Sequence, residues 1–330
     1  MFTENKFATI LNTFSALGDR FCISGYKEKK SIEEMFLNAS KVDGLSGIEL
    51  VGTWHINPDN INFVKGLKNK YGFKIPSIVI DLFTKPEYGN GSFSSTNKKI
   101  REKAIREVKE YLDIAPELEC NLITIWLAQD GYDYIFQANY IKAWNLIIEC
   151  IRECADYRND MKLAIEYKIK EPRTHCYIGT IGKALMLLKE LDRDNVGLTI
   201  DVGHASLAYE NPAESIALSK IFGDKLFHVH LNDNYGSWDD DLLVASVHIP
   251  EYIEIIYWLK KIEYDGWYSF DIYPYREDGV RSVQECIKWT NNVFNILKEF
   301  ETSEIERIIN KGDALESIAL IRKMIFRDSQ

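Results

Sequence analysis

The chain has 330 residues, 46% of them hydrophobic and 27% charged, a globular balance that excludes a disordered chain and a coiled coil. Its 40 Lys and Arg against 50 Asp and Glu leave a net charge of −10, which argues against a nucleic-acid or anionic-membrane surface. The longest interior apolar run, 122–128, is far shorter than the roughly 20 residues of a membrane span, and the opening residues, Met1 to Lys6, lack the basic and apolar stretches of a signal peptide.

In chain order, apolar and β-branched runs alternate with longer segments of helical period. A weak strand near 16–24 is followed by strands at 47–52, 74–81, 121–127, 162–168, 196–202, 226–231 and 267–272. Between and after these lie helical segments at 57–70, 98–116, 136–157, 180–192, 213–222, 250–263 and 280–300. Strands that are apolar almost throughout are buried on both faces, as in a parallel sheet. Eight alternations predict an α/β fold, a (β/α)8 TIM barrel forming one domain over 1–300. An open doubly wound sheet would want a GxGxxG after the first strand, and the sequence has none. Residues 81–98, rich in Gly, Ser, Thr and Pro, are too long for a plain connection and are predicted to form a lid. Residues 301–330 continue helical spacing through Ile305, Ile308, Ile309, Leu315, Ile318, Ile321 and Ile325, with Ser303 and Glu306 at capping-box distance. This C-terminal helical extension packs either on its own barrel or, as an oligomerisation arm, on a neighbouring subunit. The six cysteines form no CxxC or disulfide-dense pattern, and Cys150 and Cys154 share a helix face as buried thiols. A reducing, cytoplasmic setting is expected.

Barrel sites form at the C-terminal ends of the strands. Here strands five to eight end in Glu166, Asp201, His230 and Asp271. Four ionisable groups at one barrel mouth are costly to bury unless paired or ligating a cation. Three carboxylates and an imidazole suit Mn²⁺, Co²⁺ or Mg²⁺ better than a structural zinc site. Of His228 and His230 on strand seven, one is expected to face the mouth. His230 is chosen because Asp201 and Asp271 sit at matching strand ends, with His228 directed toward the helices. After strand seven, Asp239 and Asp241 are expected to hold a second cation with His204, so that the two ions clamp adjacent substrate oxygens. Lys168, two residues after Glu166, is expected to steady a developing alkoxide. Trp126, Gln129 and Asp130 after strand four, and Trp54 and His55 after strand two, offer the aromatic faces and polar groups that hold a sugar. His175 and His248 receive no role.

The segments Ile165-Glu166-Tyr167-Lys168 with Glu171-Pro172, Asp201-Val202-Gly203-His204, His230-Leu231-Asn232-Asp233 and Asp239-Asp240-Asp241-Leu242 resemble the xylose isomerase-like TIM-barrel superfamily of sugar isomerases and epimerases. Within it they are most similar to L-rhamnose isomerase-type enzymes. The resemblance implies a structural cation on Glu166, Asp201, His230 and Asp271, and a catalytic one near His204, Asp239 and Asp241. Lys168 and Trp126 then stand at the substrate, and the implied reaction is aldose–ketose interconversion. Rhamnose isomerases of this type carry a histidine in the segment after strand three, where this chain has Ser95.

The expected function is therefore a divalent-metal-dependent sugar isomerase moving hydrogen between C1 and C2. Mn²⁺ is the first choice of ion, with Co²⁺, Mg²⁺ or Zn²⁺ as others, and no organic cofactor is expected. Its partners are a monosaccharide substrate and further copies of itself in a homodimer or homotetramer. The alternatives are a ketose 3-epimerase on the same barrel and a metal-binding accessory subunit without turnover.

Overall fold

The computed structural model describes residues 6–326, so most of the opening segment read for a leader, and residues 327–330 of the tail, lie outside it. Eight strands close a barrel: β1 (Phe7–Ile10), β2 (Leu45–Val51), β3 (Ile78–Val79), β4 (Leu122–Trp126), β5 (Lys162–Glu166), β6 (Val196–Asp201), β7 (Leu226–Leu231) and β8 (Tyr268–Phe270). All neighbouring pairs are parallel, and β8 returns to β1. The α/β alternation read from the sequence thus forms a TIM barrel.

The helices are α1 (Ile32–Ala39), α2 (Ile61–Tyr71), α3 (Lys98–Ile114), α4 (Tyr140–Tyr157), α5 (Ile181–Leu191), α6 (Val202–Leu207), α7 (Pro212–Ile221), α8 (Ile249–Lys261), α9 (Gly279–Glu299), α10 (Thr302–Lys311) and α11 (Ala314–Phe326). Several begin where the sequence offers a capping side chain. Asn97, Asn139, Thr180, Asn211 and Asp278 each accept a backbone N–H of the first turn. In α3 the buried residues Ala104, Ile105, Val108, Tyr111 and Leu112 form one stripe against the sheet. Inside the barrel, Thr124 of β4 and Thr199 of β6 are 3.2 Å apart across alternate strands. Cys150 and Cys154 are buried, and burial pushes both thiols up.

Three expectations change. The first barrel strand is Phe7–Ile10, buried at all four positions, rather than 16–24. Residues 16–24 form a loop, where Phe21 is 78% and Ile23 89% exposed, and the Asp19 carboxylate accepts the N–H groups of Phe21 and Cys22. Residues 81–98 are not a free lid. Tyr88, Ser92 and Phe93 are fully buried, and Arg173 donates to Gly89 O at 2.7 Å. At the tail, α10 is preceded by Glu301 with no side-chain cap, so Ser303 and Glu306 lie inside the helix and form no capping box. Ile305, Ile308, Leu320 and Met324 are buried, while Leu315 and Ile318 face solvent. No helix among the described residues is long and apolar enough to cross a membrane.

Candidate metal centre

Strand register sets the site. Asp201 of β6 pairs with His230 of β7, Glu166 ends β5, and Asp271 follows β8 directly. Because the strands are parallel, these residues at or just past their C-terminal ends meet at one end of the barrel. There Glu166, Asp201, His230 and Asp271 place one ligand atom each within 4.8 Å of one another, as do Asp201, His204 and Asp239. Asp201 belongs to both groups.

The segment after β6 turns at once into α6. Asp201 caps it, accepting the His204 N–H at 2.8 Å. Gly203 lets this turn press on the segment after β7, since a Cβ there would lie 2.8 Å from Asn232 Oδ1 and 2.9 Å from Asn234 Nδ2. His204 Nδ1 meets Tyr167 O at 3.1 Å and Nε2 meets Asp239 Oδ2 at 3.1 Å. A proton on Nδ1, donated to the carbonyl, leaves Nε2 for the Asp239 side. Asp241 adopts φ +47, a left-handed conformation that aspartate tolerates, and lies close enough for Asn232 Nδ2 to donate to its Oδ1 at 3.3 Å. The same amide donates to Asp201 Oδ2 at 3.1 Å, tying the two segments together.

Lys168 is only 5% exposed. Its ammonium donates to Asp239 Oδ2 at 2.6 Å, pairs with Glu171 at 3.2 Å, and stands 5.0 Å from the centre of the Trp126 ring. Burial works against its charge, but Asp239, Asp241 and Glu171 together hold its pKa above the ordinary lysine value.

These groups open into a cavity of about 1240 Å³. One wall is polar, built from the residues after β5 to β8. The other is apolar, with Ile10, Val51, Val79, Phe83 and Trp126, and the Phe83 and Trp126 rings pack tilted at 50° with centroids 4.7 Å apart. Trp54 and Gln129 also line the cavity, with Trp54 Nε1 donating to Asp81 and Gln129 Nε2 to Phe83 O. The loop after β1 and Trp238 rim the mouth, Arg20 lying over both Phe21 and Trp238.

Not every candidate reaches the cavity. Asp130 is buried away from it, accepting from Ser92 N at 3.1 Å, from Ser92 Oγ and from Ser94 N, so it clamps the 81–98 segment rather than a ligand. His55 is buried, with Nδ1 accepting the Val51 N–H at 2.9 Å, and burial lowers its pKa to about 3. Ser95 is buried and its carbonyl accepts from Arg101. His175 stacks on Tyr132 at 4.7 Å, and His248 bonds Asp233 at 2.7 Å, both away from the ligand groups. His228 does not face the helices. Residues two apart on a strand share a face, and His228 points inside the barrel, its Nε2 3.0 Å from Glu49 Oε1. Glu49 and Asn232 were missed. Both carried a legible signal: a carboxylate inside the apolar run of β2, and a polar residue two positions after His230, just past the end of β7.

The electrostatics describe a site short of positive charge. Burial raises Asp271 to about 8, with Asp201, Glu166 and Glu49 adding to the rise and His230 opposing it. Burial and the neighbours Asp239 and Asp271 hold Asp241 well above the carboxylate range, and burial with Asp239 and Glu166 raises Asp201. Against their own burial, Glu166 is held low chiefly by His230, and Asp239 by Lys168 and His204. His204 rises to about 9 because Asp201 and Asp239 outweigh burial, and His230 rises through Glu166 and Glu49. Protons gather where carboxylates crowd, which is where a cation would displace them. The fit to a cation is also visible atom by atom. Asp239 Oδ1 and Asp271 Oδ1 are buried acceptors with no hydrogen-bond partner, and a buried carboxylate oxygen without a donor suits a hard divalent ion.

A family model described as xylose isomerase-like TIM barrel matches residues 37–293. The xylose isomerase of Thermus thermophilus is 29% identical over 243 residues, 72% of this chain and 62% of that protein. This chain therefore spans about three fifths of the length of that curated relative. A solved D-tagatose 3-epimerase-like protein has a TM-score of 0.67 at 23% identity, covering 88% of this chain and 99% of the other. The D-psicose 3-epimerase of Clostridium cellulolyticum H10, solved with D-tagatose, has a TM-score of 0.69 at 16% identity, covering 87% and 99%.

Proposed function

Because the chain belongs to the xylose isomerase-like TIM barrel family, we propose that it is a divalent-metal-dependent sugar isomerase interconverting an aldose and a ketose by moving hydrogen between C1 and C2. The observation that carries the reading is Asp201, common to two adjoining ligand groups, one with Glu166, His230 and Asp271 and one with His204 and Asp239. Asp241, tied to Asp201 through Asn232, is expected to join the second group as a further ligand. Mn²⁺ is the expected ion, and Co²⁺, Mg²⁺ or Zn²⁺ would suit the same donors. When bound, such ions polarise neighbouring sugar oxygens as Lewis acids.

The chain's own residues supply the rest. Lys168 presents N–H donors to the oxygen on which negative charge develops, fixed by Asp239 and Glu171 so that little reorganisation is needed. Asp241, ionised once a bound cation would offset Asp239 and Asp271, takes the O2 proton and returns it to O1 as the C2 hydrogen passes to C1 with its electron pair. Trp126, Phe83 and Trp54 stack on the C–H face of the sugar and exclude water. Gln129 donates one N–H to Phe83 O, which fixes the amide and leaves its Oε1 to accept from a hydroxyl.

A ketose 3-epimerase is the second reading. It is favoured by Glu166 and Asp271 flanking His230, at 3.2 and 3.5 Å from Nδ1, as a carboxylate pair about one ion. The second ligand group, and Asp271 being one carbon shorter than glutamate, weigh against it. The test is incubation of the purified protein with Mn²⁺ or Co²⁺ and a panel of aldoses and ketoses, resolved by chromatography. A C1/C2 isomer is the expected product. A C3 epimer would replace the first reading with the second, and no product from metal-loaded protein would leave an accessory, sugar-binding role. Run in D₂O, a hydride shift retains the carbon-bound hydrogen.

A further inference from the structure

Glu49 lies in the middle of β2, in the apolar sequence GIELV, and is fully buried. It does not line the cavity, so no substrate atom reaches it. A sequestered carboxylate is costly unless well supplied with donors. Glu49 has three. His228 Nε2 lies 3.0 Å from Oε1, His230 Nε2 lies 3.3 Å from Oε2, and Ser269 Oγ donates to Oε1. These donors come from β7 and β8, across the barrel interior from β2.

The His230 ring is thereby divided between two acidic settings. Its Nε2 faces Glu49 alone, while its Nδ1 lies 3.2 Å from Glu166, 3.5 Å from Asp271 and 3.8 Å from Asp201. An imidazole ligates through one nitrogen only after losing the proton there, and the partner of the other nitrogen decides which proton is kept. We propose that Glu49 is a positioning residue, holding the proton of His230 on Nε2 and so presenting Nδ1 to the cation of the Glu166–Asp201–Asp271 group. The proposal rests on the metal-dependent reading above and adds to it the residue that aims one ligand.

His228 completes the device. Its ring stands edge-on to His230, with centroids 5.2 Å apart, and shares the same carboxylate. Glu49 is thus held from two sides and cannot turn away from His230 without abandoning a second imidazole. Glu49, His228 and His230 also lie close enough together to hold a cation themselves. That arrangement would require both Nε2 atoms to be bare and would move the His230 proton to Nδ1, against Glu166. Both Glu49 oxygens already have a neighbouring donor group, whereas Asp271 Oδ1 has none, so the cation belongs with the Glu166–Asp201–Asp271 group and the proton with Nε2.

The two arrangements separate in one experiment. In Zn²⁺-loaded, ¹⁵N-histidine-labelled protein, two-bond ¹H–¹⁵N correlations are expected to show His230 protonated on Nε2 and metal-bound on Nδ1. Calorimetric titration with Mn²⁺ tests the role of the carboxylate. Glu49→Gln offers one acceptor and one N–H₂ in place of two acceptors, so it cannot serve both histidines. Its Mn²⁺ dissociation constant is expected to rise about 10–100-fold, with the melting temperature of the metal-free protein measured alongside. Ser269→Ala removes the third donor but leaves His230 aimed, so its affinity stays within about threefold of wild type. A His230 proton on Nδ1, a Glu49→Gln protein binding Mn²⁺ as tightly as wild type, or a Ser269→Ala protein as weak as Glu49→Gln would each overturn the proposal. Should Glu49→Gln fail to fold, the wild-type spectrum decides. A wild type that binds no divalent cation overturns the proposal and the isomerase reading together, whereas tight binding with an indifferent Glu49→Gln overturns the positioning role alone.

Discussion

Raising the pH should tighten metal binding steeply, because the ion must displace protons from the groups that hold it. In the metal-free protein His204 titrates at about 9 and Asp271 at about 8. Both values are raised, so below them each group carries a proton that competes with the cation. At pH 7 the competition costs a factor of about 100 at His204 and about 10 at Asp271; at pH 8 the factors fall to about 10 and about 2. Between pH 7 and 8 these two groups alone should therefore increase the apparent affinity about 50-fold, about 2 kcal/mol, and the raised His230 and Asp241 act in the same direction. Because the two residues belong to different ligand groups, the gain is divided between two binding events if both fill. Calorimetric titration with Mn²⁺ at pH 6, 7 and 8, in buffers of contrasting ionisation enthalpy, reads the affinity and the protons released together. An affinity constant within about threefold across that range, with heats independent of buffer, would refute the idea that crowded carboxylates and imidazoles store protons in place of a cation.

Other consequences are open to direct measurement. Asp201→Asn removes the carboxylate common to both ligand groups, so metal content by elemental analysis and isomerase activity should fall together, activity by at least about 100-fold. Lys168→Met should retain its metal yet lose about 10²–10³-fold in kcat, since it removes a buried donor at the developing charge rather than a ligand. Asp130→Ala should act on stability instead: deleting an acceptor of three buried hydrogen bonds costs about 3 kcal/mol, seen as a lower Tm, with kcat/KM within about twofold of wild type below the transition.

The barrel could be read from the linear chain because its signal is local. Apolar strand and amphipathic helix each declare themselves within a few residues, and their alternation admits few topologies. The ligand set was legible for a related reason: parallel strands share a direction, so ionisable residues at the ends of successive apolar runs must meet at one rim. Glu166, Asp201, His230 and Asp271 came together on that argument alone. What could not be read concerns partners distant along the chain. Asp130 looked like a sugar ligand until Ser92 and Ser94 closed around it, and the role of Glu49 depends on His228 and His230, some 180 residues away. The first strand, Phe7–Ile10, is too short to show a period, and it exists as a strand because β2 and β8 flank it. Propensity and spacing place a side chain at a barrel end, but hydrogen bonds formed across the closed interior decide which of its atoms remain free for a ligand.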